Sequence, residues 1–155
     1  MSIESLITND PDFTQQAHHD LESFLYIIIY ICTFTNGPNN SILSKEVPDT
    51  CPLREWFKKT PQASSTGFIK AGHMCRPDIS ILPYFTGYWE DMRPFVKDLI
   101  MECFLRVPGD PNHLTHDKMC TILRKAFDTV EEPEKIGSKR SYPESSARRS
   151  KKGRQ

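Results

Sequence analysis

A chain of 155 residues, 37% hydrophobic and 26% charged, has length for one domain with a modest core, or for one domain and a tail. The formal net charge is zero but unevenly spread: residues 1–132 hold 12 Lys/Arg and 18 Asp/Glu, while residues 133–155 hold 8 and 2, which sets off a separate basic tail. The five cysteines are odd in number and scattered, with no CxxC, and the start Met1-Ser2-Ile3-Glu4 lacks the basic region and apolar core of a signal peptide; both argue against a secreted disulfide scaffold and for a reducing intracellular compartment.

In chain order, Ser2 to Ile7 fits one or two helical turns, and Asn9-Asp10-Pro11-Asp12 is a turn cluster. His18-His19-Asp20-Leu21-Glu22-Ser23 then runs into Phe24-Leu25-Tyr26-Ile27-Ile28-Ile29-Tyr30-Ile31-Cys32-Thr33-Phe34, which predicts a helix over roughly 19–34. Asp20 suits its N-cap, and Glu22 its first turn. The apolar run is too short for a bilayer, which needs about 20 residues. Being apolar all round, it predicts burial on every side. Asn36-Gly37-Pro38 supplies the stop.

Residues 38–51 read as a loop, and Leu53 to Phe57 as a short helical piece entered through Pro52. Residues 62–74 predict a helix with Phe68, Ile69 and Met74 on its apolar side, and residues 77–88, with Pro77, Pro83 and Gly87, an irregular stretch. Trp89 to Val107 is the second strong helix, its face formed by Trp89, Met92, Val96, Leu99, Ile100, Cys103 and Phe104. Pro94 requires either that the regular helix begins near Arg93 or that it bends there. After Pro108-Gly109-Asp110-Pro111, Thr115 caps a third helix with the face Met119, Ile122, Leu123, Ala126, Phe127 and Val130. No strand-type alternation and no repeat is present. The expectation is an all-α domain of about four helices over residues 1–132, built around one buried central helix, then a disordered basic tail over 133–155.

Asp20-Leu21-Glu22-Ser23 followed by a bulky apolar helix resembles the start of the central helix of the protein-kinase C-lobe, especially its casein-kinase-type form. The wider context is similar to the fungal-specific kinase-like family. The likeness runs through Phe68-Ile69-Lys70-Ala71-Gly72-His73-Met74, Tyr84-Phe85 to Trp89, Arg93-Pro94 and Pro111-Asn112-His113-Leu114-Thr115-His116, covering about residues 1–130 in order. It implies a C-terminal-lobe fragment of a kinase-like fold. Glu4 matches the Glu of an APE-like triplet. That Glu pairs in kinases with an Arg before the last helix; no Arg stands there in this chain, so His113 or Arg106 takes that part. Asp20 matches the Asp that receives backbone amides of the catalytic loop, and Ser23 closes the same motif.

Phosphoryl transfer needs a Gly-rich phosphate loop, a strand Lys, an HRD-like Asp and a DFG-like Asp for Mg²⁺. None of these motifs occurs in the 155 residues. ATP, Mg²⁺ and a Ser/Thr protein substrate are therefore implied only for a full-length relative, and no catalytic, cofactor-binding or metal-ligating residue is assigned here. His113, His116 and Cys120 have ligand-like spacing, with His73 and Cys75 as further candidates, but the expectation is no zinc site, and nothing sets a Cys beside a His for nucleophilic catalysis. His18-His19 reads as a capping or solvent-facing pair. Trp56, Phe57 and Trp89 read as core. A C-lobe without its usual neighbours leaves apolar surface uncovered, which predicts poor solubility or a protein partner.

In the tail, Lys139-Arg140 and the cluster Arg148, Arg149, Lys151, Lys152 and Arg154 flank a polar spacer, the form of a bipartite nuclear-localisation signal read by an import receptor. Nucleic-acid contact is the weaker alternative, and no membrane association is expected. Ser138, Ser141, Ser145, Ser146 and Ser150 are phosphorylation candidates that would lower the charge. A small helical nuclear adaptor with this tail is the competing reading of the whole chain.

Overall fold

The computed structural model describes residues 1–8, 10–37, 47–57, 63–104 and 114–129, and every regular element among them is helical. The α-helices are α1 (Ile3–Ile7), α2 (Ala17–Phe34), α3 (Ala63–Met74), α4 (Pro77–Ser80), α5 (Arg93–Phe104) and α6 (His116–Thr129), with 3₁₀ segments at Pro52–Phe57, Leu82–Tyr84 and Gly87–Met92. The all-α expectation therefore holds for these residues. The basic tail, His113, Arg106 and Val130 lie outside them. No helix among the described residues is long and apolar enough to cross a membrane.

α2 is the centre. Leu25, Tyr26, Ile29, Cys32 and Phe34 enter one core with Leu53, Trp56, Met74, Ile81, Leu82, Phe85, Val96, Leu99, Ile100 and Met119. α5 lies against α2, and α6 against α5. The helix ends at Phe34, where Thr35 turns extended and Gly37 takes a left-handed φ of 103° that a side chain would strain. That matches the expected stop, but a distant segment completes it. The Thr86 amide donates to the Cys32 carbonyl at 3.0 Å, and the Thr86 hydroxyl to the Thr35 carbonyl at 2.8 Å. Trp89 Nε1 donates to Thr35 Oγ1 at 3.1 Å. Orphan groups at a helix C-terminus are thereby satisfied.

Pro94 is the second residue of α5, where a missing N–H breaks no bond, so the helix starts rather than bends. Trp89 and Met92 belong to the preceding 3₁₀ segment, and the stretch 77–88, expected to be irregular, contains α4 and short 3₁₀ turns. Thr115 caps α6 as expected, its Oγ1 accepting the Lys118 amide at 3.3 Å. Phe127, however, is 78% exposed, because the buried side of α6 runs through Met119 and Ala126.

α3 departs from its predicted face. Phe68 is 63% exposed and Ile69 36%, while Lys70 and Met74 are buried. The cause is α1, which lies across α3 so closely that a Cβ on Gly67 would come 2.7 Å from Ile7 Cγ1. Close approach of one backbone to another selects glycine there, and turns Phe68 outward.

Candidate functional site

The entry to α2 gathers the chain's most specific polar geometry. The expected Asp20 cap is replaced by Gln16, four residues earlier, because the helix begins at Ala17. The Gln16 amide donates to His19 Nδ1 at 2.9 Å, and the His19 amide to the Gln16 carbonyl at 2.9 Å. A nitrogen that accepts carries no proton, so the His19 proton sits on Nε2. That Nε2 donates to Glu4 Oε2 at 2.7 Å. His18 Nε2 stands 3.8 Å from the same oxygen. His19 is buried, while His18 is partly exposed. The His19 hydrogen bond holds the Glu4 carboxyl below the usual carboxylate range despite some desolvation. Glu4 is thus paired from within the entry of α2, fifteen residues along the chain.

Glu4, His18 and His19 also place their ligand atoms within 4.8 Å of one another, the sole such trio among the described residues. The His19 tautomer argues against a zinc centre. A metal-bound neutral imidazole offers one nitrogen to the ion and donates N–H from the other, usually to a carbonyl or carboxylate. His19 has this reversed: its second nitrogen accepts the amide that caps α2. Binding at Nε2 would break that cap. Mg²⁺ fits no better, since it asks for oxygen ligands in octahedral array. The trio is a hydrogen-bonded strap tying α1 to α2.

One turn further, Glu22 is buried. Its Oε1 accepts the Ile3 amide at 2.5 Å and the Tyr26 hydroxyl. Burial, then the charge and hydrogen bond of Glu22, push the Tyr26 phenol well above its ordinary range. Lys70, 7% exposed, donates to the Met1 carbonyl at 3.3 Å and lies 4.0 Å over the Tyr26 ring centroid. Burial lowers its pKa, and Glu22 partly offsets that. Trp56 stacks beside this group, its Nε1 donating to His73 Nδ1 at 2.8 Å. Burial lowers the His73 pKa, so the imidazole stays an acceptor. Residues 1–4 are thus read by Glu22, Lys70 and His19 together.

The opposite side of α2 is bare. Phe24 is 47% exposed, Ile27 53% and Ile31 39%, at helical spacings of three and four. This corrects burial on every side and matches the expected uncovered apolar surface. Asp20 heads the same stripe, exposed, accepting from the Gln15 side chain. Ser23 Oγ donates to the His19 carbonyl at 2.9 Å, a bond internal to the helix.

The structure therefore brings Glu4 to His19 and leaves Asp20 apart. Trp56 is core as expected, Trp89 is partly buried, and Phe57 is 46% exposed. Sequence reasoning missed Lys70 and the buried role of Glu22; an isolated Lys in a helix gives no pattern to find. It also missed that His116 and Cys120 meet, with Sγ 3.6 Å from Nε2. No protein-family model, curated protein or solved structure matches the chain.

Proposed function

We propose that these residues form the C-terminal-lobe portion of a fungal-type protein-kinase-like domain, silent as a phosphotransferase alone, that engages a protein partner through the bare face of α2. The observation that carries this reading is the exposed Phe24–Ile27–Ile31 stripe on the very helix around which the core is built. An apolar stripe on the central element marks where another body belongs. The Asp20-Leu21-Glu22-Ser23 motif at its head supports the kinase-like likeness; Glu4, paired with His19 rather than with a basic residue before the last helix, does not add to it. The absence of Gly-rich, HRD-like and DFG-like motifs supports the lack of activity.

The direct test is nucleotide binding on the purified chain. No saturable Mg²⁺-ATP binding is expected, and saturable binding would overturn the inactive reading. The genomic sequence upstream of Met1 tests the likeness independently: HRD-like and DFG-like codons in frame support it, and an upstream frame of unrelated sequence counts against it.

A second reading, a helical nuclear adaptor, is favoured by the charge step between residues 1–132 and 133–155. Its basic clusters suit the acidic groove of an import receptor and, less specifically, nucleic acid. A fluorescent fusion of residues 133–155 should accumulate in nuclei; a cytoplasmic fusion removes this reading.

A further inference from the structure

The exposed residues of α2 recur at a fixed interval. Ala17, Asp20, Phe24, Ile27 and Ile31 are exposed, at steps of three, four, three and four. The buried residues His19, Glu22, Leu25, Tyr26, Ile29 and Cys32 fall between them. A three-four step is the seam along which one helix packs on another, each side chain entering a gap between those of its neighbour. From Ala17 to Ile31 the seam runs about 21 Å, at about 1.5 Å per residue. Leu21, Ile28 and Tyr30 flank it, partly buried against the core, so its walls are apolar and fixed.

The charge of the seam lies at one end. Asp20 is exposed and accepts from the Gln15 side chain, and no Lys, Arg, Asp or Glu occurs from Ser23 to Gly37. That placement disfavours a second copy of the chain. A parallel copy brings Asp20 against Asp20, and an antiparallel one buries each Asp20 against Ile31. Like charges in contact and an unpaired buried carboxylate both cost free energy. A strand has nothing to extend, because every regular element among the described residues is helical. The basic tail has the charge without the seam: the apolar residues of 133–155 are Ile136, Tyr142 and Ala147, none of them three or four apart.

We propose that the seam receives one amphipathic helix of a different protein, with aliphatic side chains at its own three-four positions and a Lys or Arg at the end that meets Asp20. This rests on the reading of the bare α2 face as a partner site, and adds the partner's form and charge. The apolar positions supply burial. The Asp20 pair sets the register, since a slip of seven residues lays the cation on Ile27 instead. The excess of acid in residues 1–132, 18 Asp/Glu against 12 Lys/Arg, draws a basic partner in the same sense.

The test is fluorescence anisotropy of the full chain with two labelled helical peptides of three heptads each. Both carry Leu at the inner seam positions; one carries Lys and the other Glu at the two end seam positions, which serves either orientation. The Lys peptide should bind saturably, and at low salt at least about threefold more tightly than the Glu peptide. Asp20→Lys should invert that preference, which a merely misfolded chain cannot do. Ile27→Asp should weaken the Lys peptide at least about tenfold. Phe127→Ser, at an exposed apolar residue on α6, should leave its binding unchanged. No saturable binding of the Lys peptide, equal binding of the two peptides, or a preference that Asp20→Lys does not invert overturns the proposal. So does self-association of the chain that Ile27→Asp abolishes. The broader partner reading fails separately. A photo-reactive benzophenone side chain in place of Ile27 that cross-links in cells to a protein without such a helix keeps that reading and removes this one; cross-linking to no protein removes both.

Discussion

The two faces of α2 are made from the same residue types and have opposite fates. One face, Leu25, Ile29 and Cys32, is sealed by α5 and the rest of the core, and burial pushes the Cys32 thiol up to about 12. The other, Phe24, Ile27 and Ile31, stays partly exposed. Hydrophobicity alone therefore tells that a face wants cover, not whether the chain provides it. What marks the covered side is a polar frame: Glu22 and Tyr26 tie the helix to residues 1–3 and to Lys70.

The contrast can be broken most forcefully at Ile29, which is fully buried. Ile29→Ala should cost about 2–5 kcal/mol of unfolding free energy in urea titration, since both transfer and cavity terms apply. Gly67→Ala comes next, because its Cβ would meet Ile7 at 2.7 Å and Leu6 at 3.0 Å. Pushing α1 from α3 should cost about 1–3 kcal/mol and loosen the strap on α2, read as faster amide exchange at residues 3–7. Tyr26→Phe leaves Glu22 one donor short in a buried setting, for about 1–2 kcal/mol.

A smaller effect comes from pH. The fold holds His73 neutral, with a pKa below its ordinary value. The unfolded chain takes up that proton first, so stability is full above the usual imidazole range near about 6.5 and declines as pH falls through it. Thermal melts between about pH 7.5 and 5.5 should show this slope, and His73→Gln should flatten it. Glu4, also depressed, contributes its loss only lower, as pH falls below the ordinary carboxylate range. The smallest stability change is expected on the bare face: Phe24→Ser with Ile27→Ser should shift stability by less than about 0.5 kcal/mol per site. The same pair should weaken binding of a hydrophobic dye. Unchanged dye binding would move the exposed surface elsewhere.

Much of the helical frame was legible. Gly37 marked the end of α2 because it is the residue that tolerates a left-handed turn, and Pro94 narrowed α5 to a start or a bend near Arg93, of which the start is found. Thr115 announced α6 through its capping hydroxyl. Illegible were the facts decided by contacts distant in sequence. The Glu4–His19 bond spans 15 residues and the Lys70–Met1 bond 69, and neither leaves a local signal. Periodicity put Phe68 inward; the crossing of α1 over Gly67 turned it outward. The N-cap was misplaced for a related reason: Asp20 has the better intrinsic capping side chain, yet the His19 ring captures the Gln16 amide and starts the helix earlier.

The clamp of Thr86 and Trp89 on the end of α2 has a consequence in time. The central helix is closed by bonds that reach back 51 and 54 residues. During synthesis at roughly 5–20 residues per second, its last turn waits several seconds for those groups to be made. Until then the carbonyls of Cys32 and Thr35 are served by water, and Phe34, whose burial depends on the assembled core, has yet to be enclosed. Segment 82–89 thus acts late, as the piece that converts a tethered, half-finished helix into a folded one. A pause or a break in the nascent chain before Thr86 should leave a species that proteases cut near Thr35.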